Sequence, residues 1–203
     1  MMDKTAAALV AIICWIGLAL NFVATYKGGH DSLATLWILA RYFTILTNLF
    51  LAILMTWVAI GGRPSALILG GLLLAILLVG VVYAILLKGM HELRGPAAIS
   101  DFILHDVTPI AMALWWLLFA PRAKLRWSDA LWWSVYPLAY LAYALVRGSM
   151  DGKYPYHFID VADLGWLQTA LNAGGIAAGF IIGGLALVWI DGWRPLGSRR
   201  YSR

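Results

Sequence analysis

From Pro64 to Leu87 the chain contains no charged residue, and leucine, isoleucine, valine, alanine and glycine make up almost all of it. A helix needs about 20 such residues to cross a hydrocarbon core roughly 30 Å thick. Five further stretches read the same way. Together they predict an all-α polytopic membrane protein with six transmembrane helices in one bundle, at about 5–25, 33–60, 64–87, 97–120, 129–146 and 164–190. In this reading residues 1–203 form a single domain, with no stretch polar or long enough for a soluble one. Charged residues are only 12% of the chain, about half the share usual in soluble domains. The span 33–60 exceeds what a bilayer requires and is expected to tilt or project.

Local signals support these limits. Gly61-Gly62-Arg63-Pro64 reads as a tight turn, glycines ending one helix and proline starting the next. Pro121 stops the fourth span, and Trp127, Trp132, Trp133, Trp166, Trp189 and Trp193 fall near predicted ends, as an aromatic belt would. The start resembles a signal peptide, with Lys4 before an apolar run, but no small-x-small cleavage site follows, so it reads as an uncleaved first span.

Orientation follows from Lys and Arg. Lys4, Arg63, Arg122, Lys124, Arg126, Arg194, Arg199, Arg200 and Arg203 fall on one side; Lys27, Lys88, Arg94, Arg147 and Lys153 fall on the other. The richer side is cytoplasmic, which puts both termini there, and a bacterial inner (plasma) membrane is the expected location. The net charge of +5 does not argue for nucleic acid, because the basic residues sit in short loops and the tail. Cys14 is the only cysteine, which excludes an intrachain disulfide and thiol-pair redox chemistry.

Against this background, Ser100-Asp101-Phe102-Ile103-Leu104-His105-Asp106-Val107-Thr108-Pro109 stands out. It opens the fourth span, and ionisable groups in hydrocarbon are costly enough to mark a site. Asp101 and His105 are four apart, hence on one helix face. In the second span Arg41, Thr44 and Asn48 follow i, i+3, i+7, one polar stripe on an apolar helix. The fifth span carries Tyr136, Tyr140, Tyr143 and Arg147, the sixth carries Gln168 and Asn172, and the first carries Asn21.

Counted from the outer ends, Arg41 and His105 lie roughly 12 Å deep, Thr44 a turn deeper, and Tyr140, Gln168 and Asn172 at about 7 to 13 Å. The inner halves of the spans are almost free of polar side chains. One hydrogen-bonded or water-accessible cavity in the outer half is the expectation. Arg41 reads either as a snorkelling side chain or as the partner of Asp101 or Asp106. After the fifth span, Tyr154-Pro155-Tyr156-His157-Phe158 is too aromatic for a free linker and reads as a lid over the outer mouth or an interfacial anchor. Gly175, Gly179 and Gly183 form a small-residue stripe that reads mainly as an internal packing seam, with a dimer seam as the alternative. The oligomeric state stays open.

Three ordered motifs then resemble a known family. Arg41-Tyr42-Phe43-Thr44-Ile45-Leu46-Thr47-Asn48 comes first. Leu104-His105-x-x-x-Pro109 with Trp115-Trp116-Leu117-Leu118-Phe119 follows, and Gly148 through Tyr154-Pro155-Tyr156-x-Phe158 completes the set. Together they look like the androgen-induced-protein family of six-span membrane proteins, in its bacterial branch. Animal members are intramembrane threonine hydrolases that cleave fatty-acid esters of hydroxy fatty acids. The resemblance implies a threonine nucleophile at Thr44, a histidine base at His105, a lipid-like ester substrate drawn from the membrane, and no cofactor.

The chemistry is coherent. A threonine hydroxyl needs a base within hydrogen-bond reach. His105 can serve if Asp101 or Asp106 orients its ring; Asp101 shares its face, and Asp106 is free to pair Arg41 instead. Arg41, Asn48, Asn172 and Tyr140 are candidate donors to an acyl oxyanion. The alternatives are a small-solute or proton transporter using the same polar groups, and a non-catalytic lipid-binding protein. Against transport, no Gly/Pro-interrupted helix pair is evident. His30, His91 and His157 read as loop residues, which excludes a bis-histidine haem protein, and no metal-ligand spacing is recognisable.

Overall fold

The computed structural model describes residues 3–90, 92–121 and 125–193. His91, Arg122, Lys124, Arg194, Arg199, Arg200 and Arg203, which entered the loop and orientation readings above, lie outside the described residues. The elements are α1 (Lys4–Tyr26), α2 (Ser32–Leu39), α3 (Phe43–Ala59), α4 (Ala66–Val82), α5 (Pro96–Phe102), α6 (Thr108–Phe119), α7 (Trp127–Trp133), α8 (Val135–Asp151) and α9 (Val161–Trp193). A π-helical turn, Tyr83–Leu87, extends α4, and a second, Ile103–Val107, joins α5 to α6; a 3₁₀ turn, His157–Ile159, precedes α9. No strand occurs among the described residues.

The protein is thus an all-helical membrane protein. Four helical segments are long and apolar enough to cross a bilayer: Lys4–Tyr26, Ala66–Leu87, Pro96–Phe119 and Val161–Trp193. The α2–α3 pair makes a fifth if its bent halves count as one span. Their outward faces fit lipid. On α1, Leu9, Ile12 and Ile16 are 58%, 52% and 48% exposed, an apolar surface that water would not tolerate over several helices.

Three expected spans differ from what the chain adopts. The stretch 33–60 is not one tilted helix: α2 and α3 meet at a bend of 100°, where Tyr42 is extended (φ −94°, ψ 130°). The stretch 129–146 is divided at Ser134 into α7 and α8, and α8 runs on to Asp151. The last span starts earlier, at Val161, and Gly165 breaks its first turn with φ 73° and ψ 165°, a conformation open to glycine at little cost.

The described residues divide into two compact units, one within 3–121 and the other 125–193. In the first, α1 packs along α3 and α5, and α4 packs against α3 and α6. The inward positions of α1 are Ala7, Val10, Ala11, Cys14 and Gly17, the i, i+3, i+4, i+7 spacing of one helix face. They are small, and this lets the backbones approach closely, as in membrane helix pairs generally. Leu51, Met55, Leu69, Leu73, Ile76, Met112 and Trp115 fill the remaining interior.

In the second unit, α7 and the 3₁₀ turn pack on α9. Of the glycine stripe on α9, Gly175 and Gly179 stand in open space: a Cβ at either would find nothing within 4 Å among the described residues.

Candidate functional site

The first unit gathers most of the polar residues singled out above, and proline explains how. Pro109 has no N–H, so it cannot bond the carbonyl of His105 four residues earlier, and its ring crowds that carbonyl. The chain responds with a π turn over Ile103–Val107, in which the Thr108 N–H bonds the Ile103 carbonyl. Such widened turns recur at functional sites. The Leu104 carbonyl then has neither an α-helical donor, since the Thr108 N–H is taken, nor a π-helical one, since that would be Pro109. Side chains supply the want: Asn48 Nδ2 donates to it at 3.2 Å, and the Thr108 hydroxyl, 3.1 Å away, shares its one hydrogen between this carbonyl and Asn48 Oδ1. Two close approaches shape the turn from outside. A Cβ at Gly17 of α1 would lie 2.7 Å from Ile103 Cγ2, and one at Gly80 of α4 would lie 3.2 Å from the His105 carbonyl oxygen. The Ser100 hydroxyl donates to the Gly17 carbonyl at 2.9 Å.

The π turn presents His105 to α3. Its Nε2 lies 3.2 Å from Thr44 Oγ1. On the other edge of the ring, Nδ1 is 3.0 Å from Asp101 Oδ1 and 3.0 Å from the Asp101 carbonyl oxygen. Both neighbours of Nδ1 are acceptors, so in the neutral ring Nδ1 carries the proton. Nε2 is then the acceptor, and the Thr44 hydroxyl donates to it. Thr44 is 6% exposed, while the His105 and Asp101 side chains are 15% and 22% exposed, so the site is enclosed on the threonine side and open on the other. Thr44 occupies the first turn of α3, immediately after the bend, where the helix dipole favours negative charge.

The other expected residues divide. Asn48 is fully buried and cannot donate to an oxyanion: its amide gives both hydrogens to carbonyls, of Thr44 at 2.9 Å and of Leu104, and its oxygen accepts from Thr108 Oγ1 at 2.7 Å. Asp106 pairs with Lys88 at 3.1 Å. Arg41 is buried in the link between α2 and α3. Tyr140 and Asn172 belong to the second unit. There Tyr140 is buried beside Tyr143, whose hydroxyl accepts from Arg147 at 2.7 Å. Asn172 donates to the Phe158 carbonyl at 2.9 Å and accepts from Gln168 Nε2 at 2.8 Å. The segment Tyr154, Pro155, Tyr156, His157 and Phe158 is folded down within this unit. Phe158 stacks on Tyr156 with ring centroids 5.1 Å apart and meets His157 edge-on, and Gly148 is the only residue type that leaves room for the Tyr154 ring.

Two residues at the site escaped the sequence reading. Tyr83 opens the first π turn, stacks on His105 with ring centroids 4.2 Å apart and planes 16° from parallel, and donates its hydroxyl to Asp101 Oδ2. Lys88 follows the same turn, with Nζ 5.8 Å from the Tyr83 ring centre. The available signal was a lone hydroxyl in the otherwise apolar run Ala66–Leu87, near the end of that run that adjoins the segment bearing Asp101. Among the described residues, no three His, Cys, Asp or Glu side chains converge to hold a metal ion.

Comparison with protein-family models, with curated proteins and with solved structures returned no match.

Proposed function

We propose that this protein is an intramembrane hydrolase of a fatty-acyl ester, with Thr44 as nucleophile and His105 as general base. The observation that carries the reading is the line Thr44 Oγ1, His105 Nε2, His105 Nδ1, Asp101 Oδ1, with both hydrogen-bond gaps at 3.2 and 3.0 Å. That is the nucleophile, base and orienting carboxylate of acyl transfer, recognised by geometry and role rather than by order in the chain. The motif likeness to the androgen-induced-protein family falls on the same threonine and histidine.

Thr44 Oγ attacks the ester carbonyl carbon while His105 Nε2 takes the hydroxyl proton. The tetrahedral intermediate collapses, the C–O bond to the alcohol breaks, and the imidazolium returns its proton to the leaving oxygen. Water then adds to the acyl-threonine, again giving its proton to Nε2, and the fatty acid leaves as Thr44 recovers its hydrogen. Asp101 stabilises the imidazolium in each half. A site in one leaflet suits a substrate whose acyl chain stays in lipid and enters from the side. The chain in this reading crosses an inner (plasma) membrane six times, with α2–α3 as one crossing and α7–α8 as another, and keeps both termini in the cytoplasm. Nine basic residues against five support the orientation.

The test is hydrolysis of a panel of long-chain acyl esters by the purified protein in detergent. Thr44→Val keeps the side-chain shape and His105→Ala removes the base; both are expected to lose at least about a hundredfold in turnover. Thr44→Ser is expected to keep a measurable part. Turnover equal to wild type in Thr44→Val sinks the mechanism.

One observation favours a second reading. The 100° break between α2 and α3 falls beside Arg41 and Thr44, and interrupted helices at a polar site are a feature of transporters. Solute or proton flux in proteoliposomes that is abolished by His105→Ala, with no ester turnover in wild type, would favour transport.

A further inference from the structure

We propose that Tyr83 is a positioning residue of this site: its hydroxyl fixes the Asp101 carboxylate and its ring fixes the plane of His105, so that Nε2 is held toward Thr44 as an acceptor. The proposal rests on the catalytic reading above for its consequence in turnover, but not for its structural content.

Two contacts meet on one aromatic side chain, and a third joins their two partners. Tyr83 donates to Asp101 Oδ2, and the other carboxylate oxygen, Oδ1, is 3.0 Å from His105 Nδ1. A carboxylate bound through one oxygen only can rotate; one bound through both oxygens, to donors on different helices, cannot do so without breaking a bond. The Tyr83 ring also lies nearly flat on the imidazole, 4.2 Å away at 16°. A half-turn of the imidazole about its Cβ–Cγ bond would exchange Nε2 for a carbon facing Thr44. Such a turn sweeps the ring through the perpendicular, where the stacked Tyr83 stands. Offset aromatic stacking is moreover attractive beyond its buried area.

Two further charged groups, Asp106 on the same π turn and Lys88, engage one another at 3.1 Å. Neither replaces the Tyr83 hydroxyl at Asp101 Oδ2. Tyr83 comes from the π turn that extends α4, Asp101 and His105 from the α5–α6 segment, and Thr44 from α3. The relay is therefore braced by a third helix that contributes no reacting atom.

The experiment uses ¹⁵N-histidine-labelled full-length protein in micelles, with the His105 signals assigned by loss in His105→Gln. Wild type is expected to show one protonated Nδ1 and one unprotonated Nε2 for the neutral ring. Tyr83→Phe, which keeps the stack and loses the hydroxyl, is expected to average the two nitrogens toward one another. Tyr83→Leu, which loses both, is expected to average them further. Asp101→Asn must alter the same two signals, since Tyr83 acts through Asp101; this variant decides the matter should Tyr83→Phe fail to fold. Nitrogen signals unchanged from wild type in Tyr83→Phe, or in Asp101→Asn where it stands in, overturn the proposal whatever the turnover. On the ester panel, Tyr83→Phe is expected to lower kcat about tenfold with KM unchanged. Thr44→Val run beside it separates the two ideas: if it retains full turnover the hydrolase reading falls, while the nitrogen signals still judge Tyr83.

Discussion

Asn48 on α3 donates to the backbone carbonyl of Leu104, in the π turn that carries His105, at 3.2 Å. The same amide nitrogen donates to the Thr44 carbonyl at 2.9 Å. One side chain thus ties the turn bearing the proposed nucleophile to the turn bearing the proposed base. Asn48→Leu, close in volume, leaves the Leu104 carbonyl with one donor fewer and takes from the Thr108 hydroxyl the nearer of its two acceptors. The expected loss is about 1–2 kcal/mol of stability, the upper part of the range for membrane interhelical hydrogen bonds. Denaturant titration in micelles measures it. Ester turnover is expected to fall further than the stability loss alone would cause, because the two turns are no longer joined.

Pro109→Ala restores an N–H opposite the His105 carbonyl. The π turn is then expected to tighten toward an α-helix, and His105 rotates off Thr44. Stability is expected to stay within about 1 kcal/mol of wild type, while turnover falls at least tenfold. Hydrogen exchange at residues 103–109 and a turnover assay check the two halves. Unchanged turnover would show that the proline does not set the register of the histidine.

Gly17→Val probes the other side of the turn. A Cβ there meets Ile103 Cγ2 and Leu104 Cδ2 at 2.7 Å, and branching adds two more carbons to a filled space. Overpacking of this kind costs about 1–3 kcal/mol. Separation of α1 from α5 is also expected to break the Ser100–Gly17 bond. Thermal unfolding in detergent should show a lowered midpoint; Gly175→Ala, in open space, should not.

The orientation is testable with single cysteines. Cys14 is buried and can be replaced by serine. In that background Asp31→Cys is expected to react with a membrane-impermeant thiol reagent added outside intact cells. Arg63→Cys is expected to react only after permeabilisation. The reverse pattern would invert the topology.

Much of the site is legible in the sequence because Asp101 and His105 are four residues apart, and even the widened turn keeps them within reach. Thr44 is legible from the polar stripe with Arg41 and Asn48, of which Thr44 and Asn48 do share a face of α3, while the extended Tyr42 cuts Arg41 off from it. The bend at Tyr42 is not legible: no proline or glycine marks it, and the flanking apolar residues keep a helical spacing on both sides. The π turn had a visible cause in Pro109, but its effect on hydrogen bonding depends on which carbonyls neighbouring side chains can reach. That dependence is also why Asn48 reads as a possible oxyanion donor in sequence and is a helix tie in the structure. Tyr83 lies in another helix, and no spacing within one segment can reveal a contact between two.

The π turn also gives α5 and α6 separate angular settings. A continuous α-helix would have one, so that seating Ser100 against Gly17 of α1 would dictate how Met112 and Trp115 meet the interior. One residue's worth of slack between the halves lets each be seated on its own neighbours. Removing a single residue from 103–107 would therefore not shorten a loop. It would take out that slack, leave an α-helical i→i−4 turn in its place, and lock the setting of α6 to that of α5.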